Sequence, residues 1–153
     1  MRSCHQIFPG VRVDRDAPGR ERFFDAKYDY ILDCIDLVSC KLDLIETALA
    51  RGIPILSALG TGNKLDPSQL QITDISKTYG CPLARVMRKE LKARGILHTR
   101  VLFSPELPAA TEQKETPPPG RRSVPASLVW VPGCAGLMIC LLYTSDAADD
   151  RIS

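Results

Sequence analysis

The fold is decided by a stretch that begins with the apolar run Tyr30-Ile-Leu-Asp-Cys-Ile35 and ends with a second apolar run, Ile53-Pro-Ile-Leu-Ser-Ala-Leu59. Each run is typical of a short strand that is buried on both faces. Between them, Ser39 to Arg51 places apolar residues at helical spacing and is followed by Gly52, which predicts a helix. Strand, helix and strand in this order form a βαβ unit, so the two strands are expected to lie parallel in one sheet.

The pattern continues after this unit with further strands and one clear helix. Pro82 opens that helix at a favoured first-turn position and Gly95 closes it, with an apolar face of Leu83, Val86, Met87 and Leu91. The remaining predicted elements are a half-exposed strand at Leu70–Ile75, strands at Val101–Phe103 and Ser127–Val131, and a helix start at Pro132–Ile139. The predicted fold class is α/β, with a Rossmann-like, mostly parallel sheet flanked by helices.

Composition excludes several classes of protein. The 153 residues include 20 Lys and Arg against 18 Asp and Glu, a net charge of +2, and 44% are hydrophobic, which argues against disorder and against a histone-like polycation. Six cysteines without a C-x-x-C pair, and only two histidines, leave no zinc-ligand spacing and favour a reduced, cytoplasmic setting. No apolar run reaches the roughly 18 to 20 residues that span a bilayer, so no membrane association is expected.

Asp36 is the first candidate for chemistry, because ligands of open α/β sheets bind beyond the carboxyl ends of strands. A carboxylate there can hold Mg²⁺ on a nucleoside triphosphate, and Lys41 in the following helix could reach phosphate oxygens. The alternative is that Asp36 caps the helix, a role that aspartate fills well. The spacing alone favours the cap.

Three other features have both a functional and a structural interpretation. The Gly60-Thr-Gly62 turn lacks the length and the lysine of a P-loop and is typical of a turn that ends a strand. Cys81 precedes a helix N-terminus, where a thiol pKa can fall, although a single loop cysteine is more often inert. A basic helix face could bind a nucleic-acid backbone, although such a face is usually only solvated; it consists of Arg85, Arg88, Lys89 and Lys92.

Several separate motifs, in order, resemble one enzyme family. They are Tyr28-Asp-Tyr-Ile-Leu-Asp-Cys-Ile-Asp36, Lys41, Arg51-Gly-Ile-Pro-Ile55, Gly60-Thr-Gly-Asn-Lys-Leu-Asp-Pro67, Asp74-Ile-Ser-Lys-Thr78, Cys81-Pro-Leu-Ala-Arg-Val-Met-Arg-Lys-Glu-Leu91, Phe103-Ser104, Gly120-Arg-Arg122 and Val131-Pro-Gly-Cys-Ala-Gly136. Together, over about residues 24 to 139, they resemble the second half of the tRNA threonylcarbamoyladenosine dehydratases, which belong to the ThiF/MoeB/HesA group of E1-like adenylating enzymes.

The resemblance implies an ATP-dependent reaction. In this family ATP activates the threonylcarbamoyl carboxylate on a tRNA adenosine as an acyl-adenylate, which then cyclises with overall loss of water. The aspartate that contacts Mg²⁺-ATP in the family matches Asp36, and the basic residue shortly after it matches Lys41. The resemblance raises Asp36 above the capping interpretation and also implies tRNA as substrate, a homodimer, sulfur-transfer proteins as partners and a cytoplasmic location.

The sequence departs from the family pattern at both ends. No G-x-G-G-x-G loop precedes Tyr28, so residues 1–27 are interpreted as an irregular leader left from a missing nucleotide-binding half. Residues 28–139 are expected to form the family's C-terminal half, with a mobile Pro-rich loop at 105–122. Residues 140–153 resemble a translated sequencing adapter and are interpreted as read-through. Such a chain is expected to be inactive alone, because it lacks a cradle for ATP.

Two other functions stay open at this point. One keeps the E1-like fold but adenylates a ubiquitin-like sulfur-carrier protein, although the absence of paired C-x-x-C motifs weakens it. The other is a non-catalytic RNA-binding module that uses the basic face from Arg85 to Lys92.

Overall fold

The predicted βαβ unit is present in the computed structural model, which describes residues 23–25, 27–109 and 128–149, with side chains as far as Ser145. Strand β1 is Ile31–Asp33, helix α1 is Val38–Ala50 and strand β2 is Ile55–Ala58. The two strands are parallel, with Ile31 opposite Ile55 and Asp33 opposite Ser57. The prediction made from the two apolar runs is confirmed.

Two further strands complete a four-stranded sheet in the order β1-β2-β4-β3. Strand β4, Arg100–Phe103, is parallel to β2, whereas β3, Gln71–Asp74, is antiparallel to β4. Short 3₁₀ turns flank β3 at Pro67–Gln69 and Ile75–Lys77, and helix α2 is Pro82–Ala93. The sheet is therefore mostly parallel, and the predicted α/β fold class is confirmed.

Helices cover both faces of this sheet. One face packs against α1 and α2, with Ile45, Met87 and Phe103 at its centre. The other packs against the last helix, α3, at Trp130–Asp149, around Leu56 and Leu102. Because side chains alternate along a strand, neighbouring residues of one strand enter different cores.

The prediction of a strand at Ser127–Val131 is wrong over its described part. Helix α3 already begins at Trp130, and it continues to Asp149, well beyond the Ile139 at which the pattern weakened. Val131, Ala135 and Ile139 are buried at a spacing of four residues, which is helical. Pro132 is tolerated because first-turn amides of a helix need no partner within the helix.

Two expected core positions differ from the structure. Val86 is exposed on α2 and Ala84 is buried in its place, so the apolar face of α2 is rotated relative to the prediction. Leu32 in β1 is 39% exposed, although the strand was expected to be buried on both faces. Strand β1 lies at one edge of the sheet, and Leu32 is not part of the core beneath α3.

The segments expected to be irregular are described only in part. Residues 23–25 are helical rather than loop, and Phe24 is buried, with the Arg51 guanidinium 4.8 Å from the centre of its ring. Of the predicted loop 105–122, only 105–109 lie within the described residues. The rest of the predicted leader and of the predicted loop lies outside the described residues. The division of the chain into these segments stays a prediction.

A close backbone approach at Gly80 generates a stability prediction. Gly80 has φ +68°, and an added Cβ would lie 2.3 Å from the carbonyl oxygen of Pro105. We expect Gly80→Ala to lower the free energy of unfolding by more than about 2 kcal/mol, since the left-handed backbone alone costs about 1–2 kcal/mol. Gly95→Ala is the matched control, with φ +77° and open space around the added atom. Equal losses in urea denaturation would contradict the clash.

Candidate functional site

Three connections lie together beyond the carboxyl ends of the strands, because β1, β2 and β4 are mutually parallel. Residues 34–37 follow β1, residues 59–66 follow β2, and residues 104–109 follow β4. This carboxyl edge is where open α/β sheets bind ligands. The candidate site is therefore built from these three connections, which we call the carboxyl-edge connections.

Asp36 lies in the first of them and is exposed. The N-cap residue of α1 is Leu37, with no side-chain cap hydrogen bond. Asp36 thus precedes the capping position that the spacing alone favoured. Its place beyond the end of β1 is the one predicted for a carboxylate that faces a ligand.

Lys41 does not point to the open edge. It is 1% exposed, and its Nζ donates to Oδ2 of Asp33 over 2.8 Å. Ser57 Oγ donates to the same oxygen over 2.6 Å, and the backbone N–H of Ile35 donates to Asp33 Oδ1 over 2.9 Å. The lysine expected to reach phosphate oxygens is instead held in a buried cluster with Asp33 and Ser57.

Sequence reasoning missed both partners of Lys41 in this cluster. A signal was available, because each is the polar third residue in an otherwise apolar strand, Ile31-Leu-Asp33 and Ile55-Leu-Ser57. With the strands parallel and in register, the two polar side chains come to lie side by side. The register itself could not be read from the sequence.

Hydrogen bonds join the second and third carboxyl-edge connections to each other. Lys64 is 2% exposed, and its Nζ donates to the backbone oxygen of Glu106 and, over 3.5 Å, to that of Ser104. In return the Glu106 carboxylate accepts from the backbone N–H groups of Leu65 and Asp66. The Gly60-Thr-Gly62 turn therefore leads into a connection fixed by a lysine, which fits the structural interpretation of that turn.

The basic face of α2 is not uniform. Arg85, Lys89 and Lys92 are exposed, whereas Arg88 is half-buried and donates to the backbone oxygen and Oγ1 of Thr78. Arg88 and Lys92 also line a groove of about 330 Å³ together with His98. The four predicted basic residues are thus on one helix, but only three of them present an exposed charge.

The two cysteines closest to this chemistry differ in position. Cys34, in the first carboxyl-edge connection, is exposed. Partial burial raises the pKa of its thiol, and the neighbouring Asp33 carboxylate raises that pKa further. A raised pKa keeps the sulfur as a thiol rather than as a nucleophilic thiolate. Cys81, at the N-cap of α2, is buried in the core.

Comparison with known proteins gives consistent relatives. The tRNA threonylcarbamoyladenosine dehydratase of Bacillus subtilis is 37% identical over 128 residues, which is 78% of this chain and 50% of that protein. The tRNA threonylcarbamoyladenosine dehydratase 2 of Saccharomyces cerevisiae is 45% identical over 92 residues, 60% of this chain and 21% of that protein. No family model matches the chain.

Solved structures agree with these relatives. The crystal structure of the E. coli dehydratase in complex with AMP aligns with a TM-score of 0.71 at 26% identity, covering 86% of this chain and 53% of that one. The complex with ATP aligns with a TM-score of 0.56 over 80% of this chain. The chain belongs to the tRNA threonylcarbamoyladenosine dehydratase family. It spans about half the length of the Bacillus subtilis dehydratase, which is consistent with a C-terminal portion.

The carboxyl-edge connections of this dehydratase portion fit Mg²⁺ only as an ion that a nucleotide carries. Among residues 23–25, 27–109 and 128–149, no group of three or more His, Cys, Asp or Glu side chains could hold a metal ion. Mg²⁺ needs few protein ligands when substrate phosphates and waters supply the others, so the single carboxylate of Asp36 fits an ion carried by a nucleotide. Within the same residues, no helix has the length and apolar character to cross a membrane.

The link between the second and third connections can be tested at Lys64. We expect Lys64→Met to lower the free energy of unfolding by about 1–3 kcal/mol, because two backbone oxygens lose their buried donor. Lys77→Met is the control, since Lys77 is exposed in the turn after β3, and a change within about 0.5 kcal/mol is expected there. Equal effects in thermal or urea unfolding would show that the buried ammonium stabilises nothing.

Proposed function

We propose that this chain is the C-terminal portion of an ATP-dependent tRNA threonylcarbamoyladenosine dehydratase. The intact enzyme adenylates the threonylcarbamoyl carboxylate on a tRNA adenosine, releasing pyrophosphate, and the activated carbonyl is then attacked within the same group, releasing AMP. The observation that carries the proposal is the position of Asp36, exposed beyond the carboxyl end of β1 in a member of this family.

The role proposed for Asp36 is electrostatic. Its carboxylate would hold Mg²⁺ on the ATP phosphates, and the bound ion would supply charge neutralisation for the departing pyrophosphate. A short connection between a strand and a helix holds this carboxylate more precisely than a long loop would. The structures of the E. coli dehydratase in complex with ATP and with AMP support a nucleotide as the ligand.

The chain alone is proposed to be inactive. Its sequence contains no Gly-rich phosphate loop of the family type, and Lys41 has its ammonium on Asp33 rather than at the open edge. One carboxylate without phosphate donors cannot supply the stabilisation that adenylation needs. A homodimer and sulfur-transfer partners are further proposals from the resemblance, and the cytoplasmic setting is a proposal from the resemblance and from the cysteine usage.

The tRNA contact is proposed to lie on the basic face of α2. Arg85, Lys89 and Lys92 are exposed on this helix, and Arg88 and His98 line the groove beside it. Clustered cations of this kind bind phosphates by releasing counterions. If the face binds tRNA while the chain never takes part in adenylation, the non-catalytic RNA-binding module becomes the better interpretation.

The second enzyme hypothesis is adenylation of a ubiquitin-like sulfur carrier. It uses the same carboxyl-edge connections and the same Asp36. What separates it from the dehydratase is the acceptor. The similarity to tRNA-modifying dehydratases favours the tRNA substrate.

A graft tests the proposed role of Asp36. Residues 28–139 replace the matched segment of the Bacillus subtilis dehydratase, and conversion of modified tRNA is followed by the mass change on dehydration. We expect the graft to be active and Asp36→Asn to reduce its kcat/KM at least about 100-fold, because several kcal/mol of metal-mediated stabilisation are lost. Asp29→Asn, at an exposed position before β1, is the control and should retain activity. A folded graft whose activity survives Asp36→Asn would reject the role.

Salt-dependent tRNA binding tests the basic face. We expect Lys89→Gln with Lys92→Gln to weaken tRNA binding by the chain and to reduce the slope of log K against log salt by up to about 2, one per lost phosphate contact. Lys27→Gln, another exposed lysine, is the control. Arg88 is left intact because its substitution would also remove its bonds to Thr78. An unchanged slope would place the tRNA contact elsewhere.

A further inference from the structure

We propose that Lys41, Asp33 and Ser57 are positioning residues for Asp36, and that Lys41 is not a phosphate ligand. This inference rests on the proposed function, because it concerns the carboxylate to which that function assigns Mg²⁺-ATP. The three residues form the buried cluster beneath the first carboxyl-edge connection, and we call them the strand-end clamp.

The clamp closes the base of the segment that carries Asp36. Asp33 is the last residue of β1 and Lys41 lies in the first turns of α1, so their contact joins the two ends of the connection 34–37. Their side chains are 0% and 1% exposed, and the Nζ–Oδ2 distance is 2.8 Å. When the end of the strand and the start of the helix are held at this distance, few conformations remain for the residues between them.

Two further bonds fix the clamp in place. The backbone N–H of Ile35 donates to Asp33 Oδ1, which forms a turn directly after the strand, one residue before Asp36. Ser57 Oγ donates to Asp33 Oδ2 and ties the clamp to β2. Both oxygens of Asp33 are thus engaged by three donors inside the protein, so Asp33 is occupied as a structural acceptor rather than as a ligand of the edge.

The energetics favour a positioning role over a stabilising one. A buried ion pair loses much of its attraction to desolvation and is often no more stable than an apolar replacement of similar volume. Its useful property is that it allows few arrangements. In proteins, partners behind a metal-binding side chain commonly change metal affinity 10–100-fold when they are removed, although they never touch the ion.

Ser57 separates positioning from direct phosphate binding. In both views Ser57 touches no ligand, because it lies in β2 and is fully buried. If Lys41 positions Asp36 through the clamp, Ser57→Ala and Lys41→Met perturb the connection in the same direction. If Lys41 were a phosphate ligand, Ser57→Ala would leave ligand binding unchanged.

The test uses the full chain, ¹⁵N-labelled, for the amide signals, and the graft described above, with Mn²⁺-ATP as the probe, for binding. We expect Ser57→Ala and Lys41→Met to shift the amide signals of residues 34–37 in the chain while the amides of α2 stay unchanged, and to weaken Mn²⁺-ATP binding by the graft about 10-fold or more. Ser39→Ala, an exposed serine in the first turn of α1, is the matched control. The neutral pair Asp33→Asn with Lys41→Gln should restore part of the wild-type pattern, since it keeps hydrogen-bonding groups at both positions.

The outcomes distinguish this inference from the proposed function. Folded Ser57→Ala and Lys41→Met chains with wild-type signals at residues 34–37 would overturn the clamp. If Lys41→Met does not fold, the milder Ser57→Ala decides alone. A graft whose Mn²⁺-ATP binding is unchanged by Asp36→Asn would count against the proposed metal role of Asp36, while the amide shifts still test the clamp.

Discussion

The buried contact between Lys41 and Asp33 joins the elements on which the rest of the sheet depends. It ties the end of β1 to the first turns of α1, and Ser57 extends it to β2. Strand β4 pairs with the other side of β2, and β3 pairs with β4. Polar contacts therefore specify the parallel register of β1 and β2 together with the apolar ones, because a slip of one residue would turn Asp33 or Ser57 toward the opposite face of the sheet.

Such a cluster is tolerated because every member has a partner. An unpaired buried carboxylate or ammonium costs several kcal/mol, whereas the Asp33 carboxylate accepts three hydrogen bonds and Lys41 donates to it. The second and third carboxyl-edge connections follow the same logic with Lys64 and Glu106. Each lysine brings a charge into the interior and donates to oxygens of another segment, the Asp33 carboxylate for Lys41 and the backbone oxygens of Ser104 and Glu106 for Lys64.

Local pattern was sufficient to predict most of the fold from the sequence. The βαβ unit, the half-exposed β3 and the Pro82–Gly95 limits of α2 all depend on periodicity and on start and stop residues. Helix α3 was predicted from Pro132, but its first residues were assigned to a strand, because Leu128-Val-Trp-Val131 is β-prone in isolation and only the core around Leu56 and Leu102 selects the helical spacing. The exposure of Leu32 was likewise invisible, since strand order is not encoded locally.

The candidate site was predictable in kind but not in its contacts. Asp36 follows from the rule that ligands bind beyond strand ends, and the structure exposes it there. The side-chain direction of Lys41 depends on the register that places Asp33 opposite Ser57. The spacing of residues along the chain does not specify that register. Once Lys41 is paired, its charge is neutralised within the protein and it adds little attraction for phosphate at the edge. In the proposed enzyme, Asp36 therefore remains the residue assigned to Mg²⁺-ATP at this edge, and Lys41 is not among the cations assigned to the ATP phosphates.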